Sequence, residues 1–512
     1  MNARGERVEE LTVNHNVITN DMYGRLDIYA SYDNITPDNI VEELNSAIVY
    51  HVQNLIQENF LYWYRRNVQP ILGRKKEVRP EIMNIVQENH ADEIVTFKNG
   101  FFLTQPAFYV SRRKGVQTKV NKLNEYLYRS GKQQADNEVV NWFHTVGKAP
   151  LYVEPNDDPD VPFRAFSLDP RSAFVVYSLR PGNRPVMGVN FVVADEKAQF
   201  DVYTRDYVFH LSGTATGRMM TTQINSDFIA SASTLEWVEP NVLGYIPIIE
   251  YRYNDINMGA FESVLPLLDA INTVQSNRID GVEQFIQSLA VAVNCQFDDD
   301  TTANDIRKAG MIVLKSIGEN KADFRILSEQ LDQTQTQVLV DYLYEQVLRI
   351  CAMPSTHDGN GSIRDSGTAS LVRNGWFQAD AAARNTEDLF KKSNKYFDEI
   401  IVSILRRKNL LDISINDFEL ELVRNETVNI QSKAQSFQTL MAAGFHPELA
   451  AKKSGVSNDP VADMKMSEKY IKMIWGDPDK VDSTEKTTDG TGEAKIVESD
   501  NYNGENQIGG AV

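Results

Sequence analysis

The sequence predicts an α+β fold that is mainly helical, and three features carry that reading. Residues 151–253 are dense in β-branched and aromatic residues and are cut by Pro155, Pro159, Pro162, Pro170, Pro181-Gly182, Pro185 and Gly213, the pattern of a strand meander. On either side, apolar residues recur at the three- and four-residue spacing of a helix. The chain has 512 residues, and single cores stop growing at roughly 250–300, so several domains are expected.

Taken in order, Thr36-Pro37-Asp38 predicts a helix start, with a capping hydroxyl and a proline at the first position. Ile40, Leu44, Ile48, Val52, Leu55, Ile56 and Phe60 supply its apolar face, and it should end before Pro70. A second apolar segment, Ile94 to Val110, is expected to break at Asn99-Gly100 and Pro106. Short helices are predicted over 117–130 and 136–147. Strands follow at Phe174–Tyr177, Val186–Val193, Phe200–Tyr203 and Tyr207–Leu211.

After Gly259 the helical period returns. Val264, Leu268, Ile271, Val274, Ile279, Val282, Phe285 and Leu289 form one stripe, and Asp269, Thr273, Ser276, Asp280, Gln284 and Gln287 the opposite, polar one. A β-containing insert over 290–328, with a short helix near 303–309, precedes a second helix with Val338, Leu339, Tyr342, Leu343, Val347 and Ile350 on its apolar side. The expectation is an antiparallel helical hairpin with a small cap. Met353-Pro354 stops the second helix, and 354–367 reads as a polar, glycine-bearing loop. The longest helix is predicted from Thr368 to Lys408, with Gly375 beside Trp376 as a kink. An edge strand over 413–424 and helices near 430–443, 446–453 and 459–475 complete the fold. The Asp-, Thr-, Gly- and Asn-rich residues 476–512 are expected to be disordered.

Composition narrows the function. Lys and Arg total 52 against 71 Asp and Glu, a formal charge of -19, which does not suit a protein that grips phosphates through basic patches. The first fourteen residues contain no apolar core, so no secretory signal is expected, and no stretch approaches the roughly 18 apolar residues of a membrane span. Cys295 and Cys351 are read as free buried thiols.

The catalytic motifs looked for are missing. Gly213 to Met219 (GTATGRM) is the nearest glycine-rich turn to a phosphate loop, but it lacks the lysine and hydroxyl that such a loop requires. There is no HExxH, CxxC or GxSxG, and the seven histidines are scattered. The acidic runs Asn156–Asp160 and Asp298–Asp300 do not have calcium-loop spacing and read as solvated loops. No catalytic residue, cofactor or metal ligand is assigned.

The order of elements resembles the portal proteins of tailed bacteriophages over residues 31–475. Four phrases carry the resemblance. Lys98-Asn99-Gly100-Phe101-Phe102-Leu103-Thr104-Gln105-Pro106 is similar to the family's NG-aromatic phrase. Ile246-Pro247-Ile248-Ile249-Glu250-Tyr251, with Asn254 and Gly259, resembles the lead into the first stem helix. Leu268-Asp269-Ala270 with Ser276-Asn277 sits where that helix carries its own signature, though Ile271 stands where the family often has an aromatic. Ser366-Gly367-Thr368-Ala369 resembles the opening of the helix after the tunnel loop.

The resemblance implies a non-enzymatic virion protein, a ring of about twelve subunits at the capsid vertex that is assembled in the host cytoplasm. Double-stranded DNA would pass through it without sequence specificity. Its implied partners are the terminase, the major capsid protein and head-tail adaptor proteins, with no membrane. It implies a wing over 1–258, stem helices over 259–289 and 330–352, a clip over 290–329 and a tunnel loop over 353–367. A long helix with a wing strand over 368–425, a crown over 426–475 and a disordered tail follow. His357, Asp358, Asn360, Ser362, Arg364 and Asp365 of the loop would lie nearest DNA, with Thr273, Ser276, Asp280 and Gln284 of the stem facing the channel. Lys308, Lys315 and Lys321 of the clip would dock partners. Another structural virion protein of the head-tail region, or an acidic hydrolase with unlocated carboxylates, remains as an alternative.

Overall fold

A computed structural model describes residues 24–475 apart from 78–79, 114, 218–227, 287–288, 294, 297–314, 317–322, 328–332, 356–374, 424–429 and 458–459. The helices are α1 (Ile40–Arg65), α2 (His90–Phe102), α3 (Gln117–Arg129), α4 (Lys132–Val146), α5 (Leu265–Ile286), α6 (Gln333–Ile350) and α7 (Trp376–Arg407), then α8 (Ile430–Ala442), α9 (Pro447–Ser454) and α10 (Pro460–Trp475). The first ten strands are β1 (Ile28–Ala30), β2 (Phe108–Ser111), β3 (Lys148–Pro155), β4 (Phe163–Ser167), β5 (Ala173–Ser178), β6 (Pro185–Ala194), β7 (Lys197–Tyr203), β8 (Tyr207–Thr216), β9 (Ile229–Pro240) and β10 (Ile248–Arg252). They are followed by β11 (Leu289–Val293), β12 (Cys295–Gln296), β13 (Lys315–Ser316), β14 (Asp323–Leu327) and β15 (Phe418–Glu421).

The expected meander is present. Strands β5 to β9 run antiparallel in sequence order, and β1 joins parallel to β5, making a six-stranded sheet. The amino-terminal half of α1 covers one face of it, packing Ile40, Leu44, Ile48 and Leu55 against Phe174, Met187, Phe191 and Phe209. A second sheet, β10-β3-β4, packs with α3, α4, α7 and the β2–β15 pair. The carboxyl-terminal half of α1, with Phe60, Leu61 and Tyr64, enters a third core with α2, α5 and α6. One helix therefore ties two of the cores together.

Several boundaries differ from the sequence reading. Thr36 and Pro37 form a turn before α1, because the Asn39 side chain accepts from the Thr36 amide at 2.7 Å and the helix begins at Ile40. Asn99-Gly100 lies inside α2, which continues to Phe102 because Phe101 and Phe102 are buried. Gly375 does not kink the long helix. It is the residue before Trp376, in the left-handed region at φ +80°, a conformation glycine adopts at little cost. The edge strand is only Phe418–Glu421, because Ser414 and Asp417 cap a short 3-10 turn ahead of it. The cap of the hairpin contains the β11–β14 and β12–β13 pairs. The helix expected at 303–309, the start of the long helix over 368–374 and the tail from 476 lie outside the described residues.

Candidate functional site

The hairpin of α5 and α6 is rooted in the third core. Leu268 and Ile271 of α5 bury against Val340, Val347 and Leu348 of α6. At its base the chain passes so close to α4 that a Cβ on Gly259 would sit 2.4 Å from the Thr145 carbonyl oxygen, which restricts that position to glycine. Three residues on, Glu262 is wholly buried and ion-paired with the equally buried Arg25. Its carboxylate also accepts from the amides of Gly24 at 3.3 Å and Gly259 at 2.8 Å, while Arg25 donates to the Val146 carbonyl at 3.1 Å. Cys351, at the end of α6, donates to the Ala260 carbonyl at 3.6 Å, and burial pushes its thiol up to about 12.

The polar stripe of α5 is not free. Asn272, Ser276 and Asp280 stand one helical turn apart and are buried, covered by residues 83–89, a stretch without regular structure. The amide of Asn84 donates to Asp280 at 2.7 Å, that of Val86 to Ser276 Oγ at 2.9 Å, and that of Glu88 to Asn272 Oδ1 at 2.8 Å. Arg74 and Lys76 reach the other Asp280 oxygen at 2.8 and 3.2 Å. Burial alone would raise the Asp280 carboxyl, but the Asn84 amide and side chain, Lys76 and Arg74 outweigh it and hold the group below the usual carboxylate range.

A second set of contacts secures the end of this stretch. His90 lies 2.9 Å from Glu88 and 2.7 Å from Glu93, and Glu93 accepts from Tyr344 of α6 at 2.6 Å. Burial would lower the imidazole, but the two carboxylates raise it to about 9.

Within the single subunit, part of the stem set expected to line a channel is covered. Ser276 and Asp280 are enclosed within the subunit, because residues 83–89 supply partners for their polar atoms. Thr273 is exposed, with its hydroxyl donating to the Asp269 carbonyl at 2.8 Å. Gln284 is placed in α5 and Lys315 in β13, but their side chains lie outside the description. His357, Asp358, Asn360, Ser362, Arg364, Asp365, Lys308 and Lys321 lie outside the described residues. Asp157, Asp158 and Asp160 occupy an exposed loop. Sequence reasoning missed Asn272, Arg74, Lys76 and Asn84. The four-residue spacing of Asn272, Ser276 and Asp280 is visible in the sequence, but the backbone amides that meet them come from about 190 residues earlier.

The hairpin also carries uncovered apolar groups. Ile279 and Val282 of α5 are exposed, as are Val338, Leu339, Tyr342 and Ile350 of α6, with Val338 63% and Tyr342 57% accessible. Leu339, Tyr342, Gln346 and Ile350 follow a three- and four-residue repeat on the side of α6 away from its buried Val340, Val347 and Cys351. On this rooted hairpin, the uncovered apolar stripe is the kind of surface that marks an interaction site. The family model described as "Phage portal protein, SPP1 Gp6-like" matches residues 50–474, and the chain belongs to that family. No curated protein matches it. Portal proteins are structural, non-enzymatic components of the phage capsid, oligomeric rings that serve DNA packaging and connect with capsid and terminase. No described helix is long and apolar enough to cross a membrane.

Proposed function

We propose that this chain closes a ring of about twelve subunits at the capsid vertex, with the α5–α6 hairpins side by side as the wall of a DNA channel. In this reading, residues 1–258 with 368–425 form the wing, 259–289 and 330–352 the stem, 290–329 the clip and 426–475 the crown. Double-stranded DNA passes without sequence specificity, nearest to the 353–367 loop with His357, Asp358, Asn360, Ser362, Arg364 and Asp365. Lys308, Lys315 and Lys321 of the clip meet the terminase during packaging and head-tail adaptors afterwards, and the wing meets the major capsid protein. Assembly takes place in the host cytoplasm before the ring enters the virion.

The observation that carries this reading is the stripe of Val338, Leu339, Tyr342 and Ile350, which the subunit itself leaves uncovered. A neighbouring hairpin with Ile279 and Val282 exposed on its first helix offers a matching apolar surface. The charge of -19 per chain also suits a conduit, since a wall without dense lysine and arginine lets phosphates slide rather than bind. Replacing Leu339 and Tyr342 together with aspartate tests the reading. The variant is expected to keep its circular dichroism spectrum and to sediment as a monomer. Rings as abundant as those of the parent protein would exclude the stripe as an assembly surface.

A further inference from the structure

The fit between residues 83–89 and α5 is periodic. Amides two residues apart, on Asn84, Val86 and Glu88, meet side chains four residues apart, on Asp280, Ser276 and Asn272. Two residues of extended chain advance about 6.6 Å, and four residues of helix about 6.0 Å, so the repeats stay in step over three contacts. The two segments run antiparallel. Further hydrogen bonds link Asn84 to Glu283 at 2.7 Å, Glu88 to Gln275 at 2.7 Å and Asn272 to Gln69 at 2.6 Å.

The contact is almost wholly polar. Between 80 and 89 the only buried apolar side chain is Ile82, while Met83 and Ile85 point into solvent. Each hydrogen bond of such a contact contributes only about 0.5–1.5 kcal/mol net against water, more to a carboxylate, and segments held with few buried apolar groups open at the low end of a protein's stability range. Asn272, Ser276 and Asp280 would be solvated once uncovered, unlike an apolar helix face.

We propose that residues 83–89 are a releasable strap on the stem, and that its release in the assembled ring turns Asn272, Ser276 and Asp280 to the channel. Closed, the strap covers the polar ladder through the amides of Asn84, Val86 and Glu88, beside the separate ion pairs of Arg74 and Lys76 with Asp280. Open, each subunit adds the side chains of Asn272, Ser276 and Asp280 to the wall, with the Asp280 carboxylate still held by Arg74 and Lys76, a polar surface without free cations on which phosphates slide rather than bind. The inference rests on the ring and channel proposed above.

The test uses Glu88→Cys with Gln275→Cys, on a Cys295→Ser background, joined by a short bis-thiol linker cleaved by reduction. Cys351 is buried and its thiol stays protonated. Phage heads carrying the linked ring should hold at least roughly tenfold less DNA than heads carrying the same protein reduced beforehand. Equal DNA content in linked and reduced forms, with rings intact by electron microscopy, overturns the strap and leaves the portal reading standing. A parent protein that forms no ring overturns both. An independent readout is hydrogen exchange in Asp280→Asn rings, where the amides of Asn84, Val86 and Glu88 should exchange at least roughly tenfold faster than in the parent. Unchanged exchange there also counts against the strap.

Discussion

Glu58 lies wholly buried on α1, and neither of its carboxylate oxygens has a hydrogen-bond partner. Burial pushes the group up to about 7, against the pull of Lys148 and Arg25. Asp398, beneath Tyr109 and Asn394, is also raised by burial to about 7. For Glu58 the folded chain holds a proton between about pH 4.5 and 7 that the unfolded chain has released, so this site's contribution to stability falls as pH rises through that window. Above about 7 it is constant. Glu58→Gln should therefore raise the melting temperature at pH 8, by an amount equivalent to about 1–3 kcal/mol, and the gain should vanish near pH 4. An equal gain at both pH values would mean that ionisation is not the cause. Such residues also limit what a sequence discloses. Ser276 and Asp280 read as part of an exposed stripe because they are polar, yet each is buried and bonded to backbone from a distant segment.

At the scale of elements, periodicity was legible wherever one face of an element is buried. The helices at 117–129, 265–286, 333–350 and 430–475, and the meander from β5 to β8, lie close to where spacing placed them. Elements defined by partners rather than by their own pattern were not legible. Strand β1 has three residues and exists because it pairs with β5, and the stretch over 83–89 has no period of its own. Gly375 shows the limit of reasoning from propensity: a glycine among helix formers suggests a kink, but here it supplies the left-handed turn before the helix. The Arg25–Glu262 pair is an element-scale joint, since it pins the amino-terminal segment to the base of the hairpin. Removing one member of a buried pair leaves the other uncompensated, at a cost of about 3–5 kcal/mol. Glu262→Ala should lower the urea midpoint accordingly and hasten proteolysis between residues 24 and 27. A change below about 1 kcal/mol would show that the pair is replaced by water without loss.

On the scale of the whole molecule, α1 joins two of the three cores, and the hairpin stands on one of them with its outward stripe bare. In the ring proposed above, that stripe meets the neighbours that a single subunit lacks. The arrangement of α+β body, hairpin and carboxyl-terminal helices was readable from periodicity. The course of residues 83–89 along the hairpin was not, because nothing local to either segment specifies the other. The central claim is that this subunit closes into a channel-forming ring, and it is tested most directly by electron microscopy of the purified protein together with its native mass. A closed ring of about twelve copies with an axial opening is the predicted result. A monomer or dimer that persists across concentration and salt would contradict it.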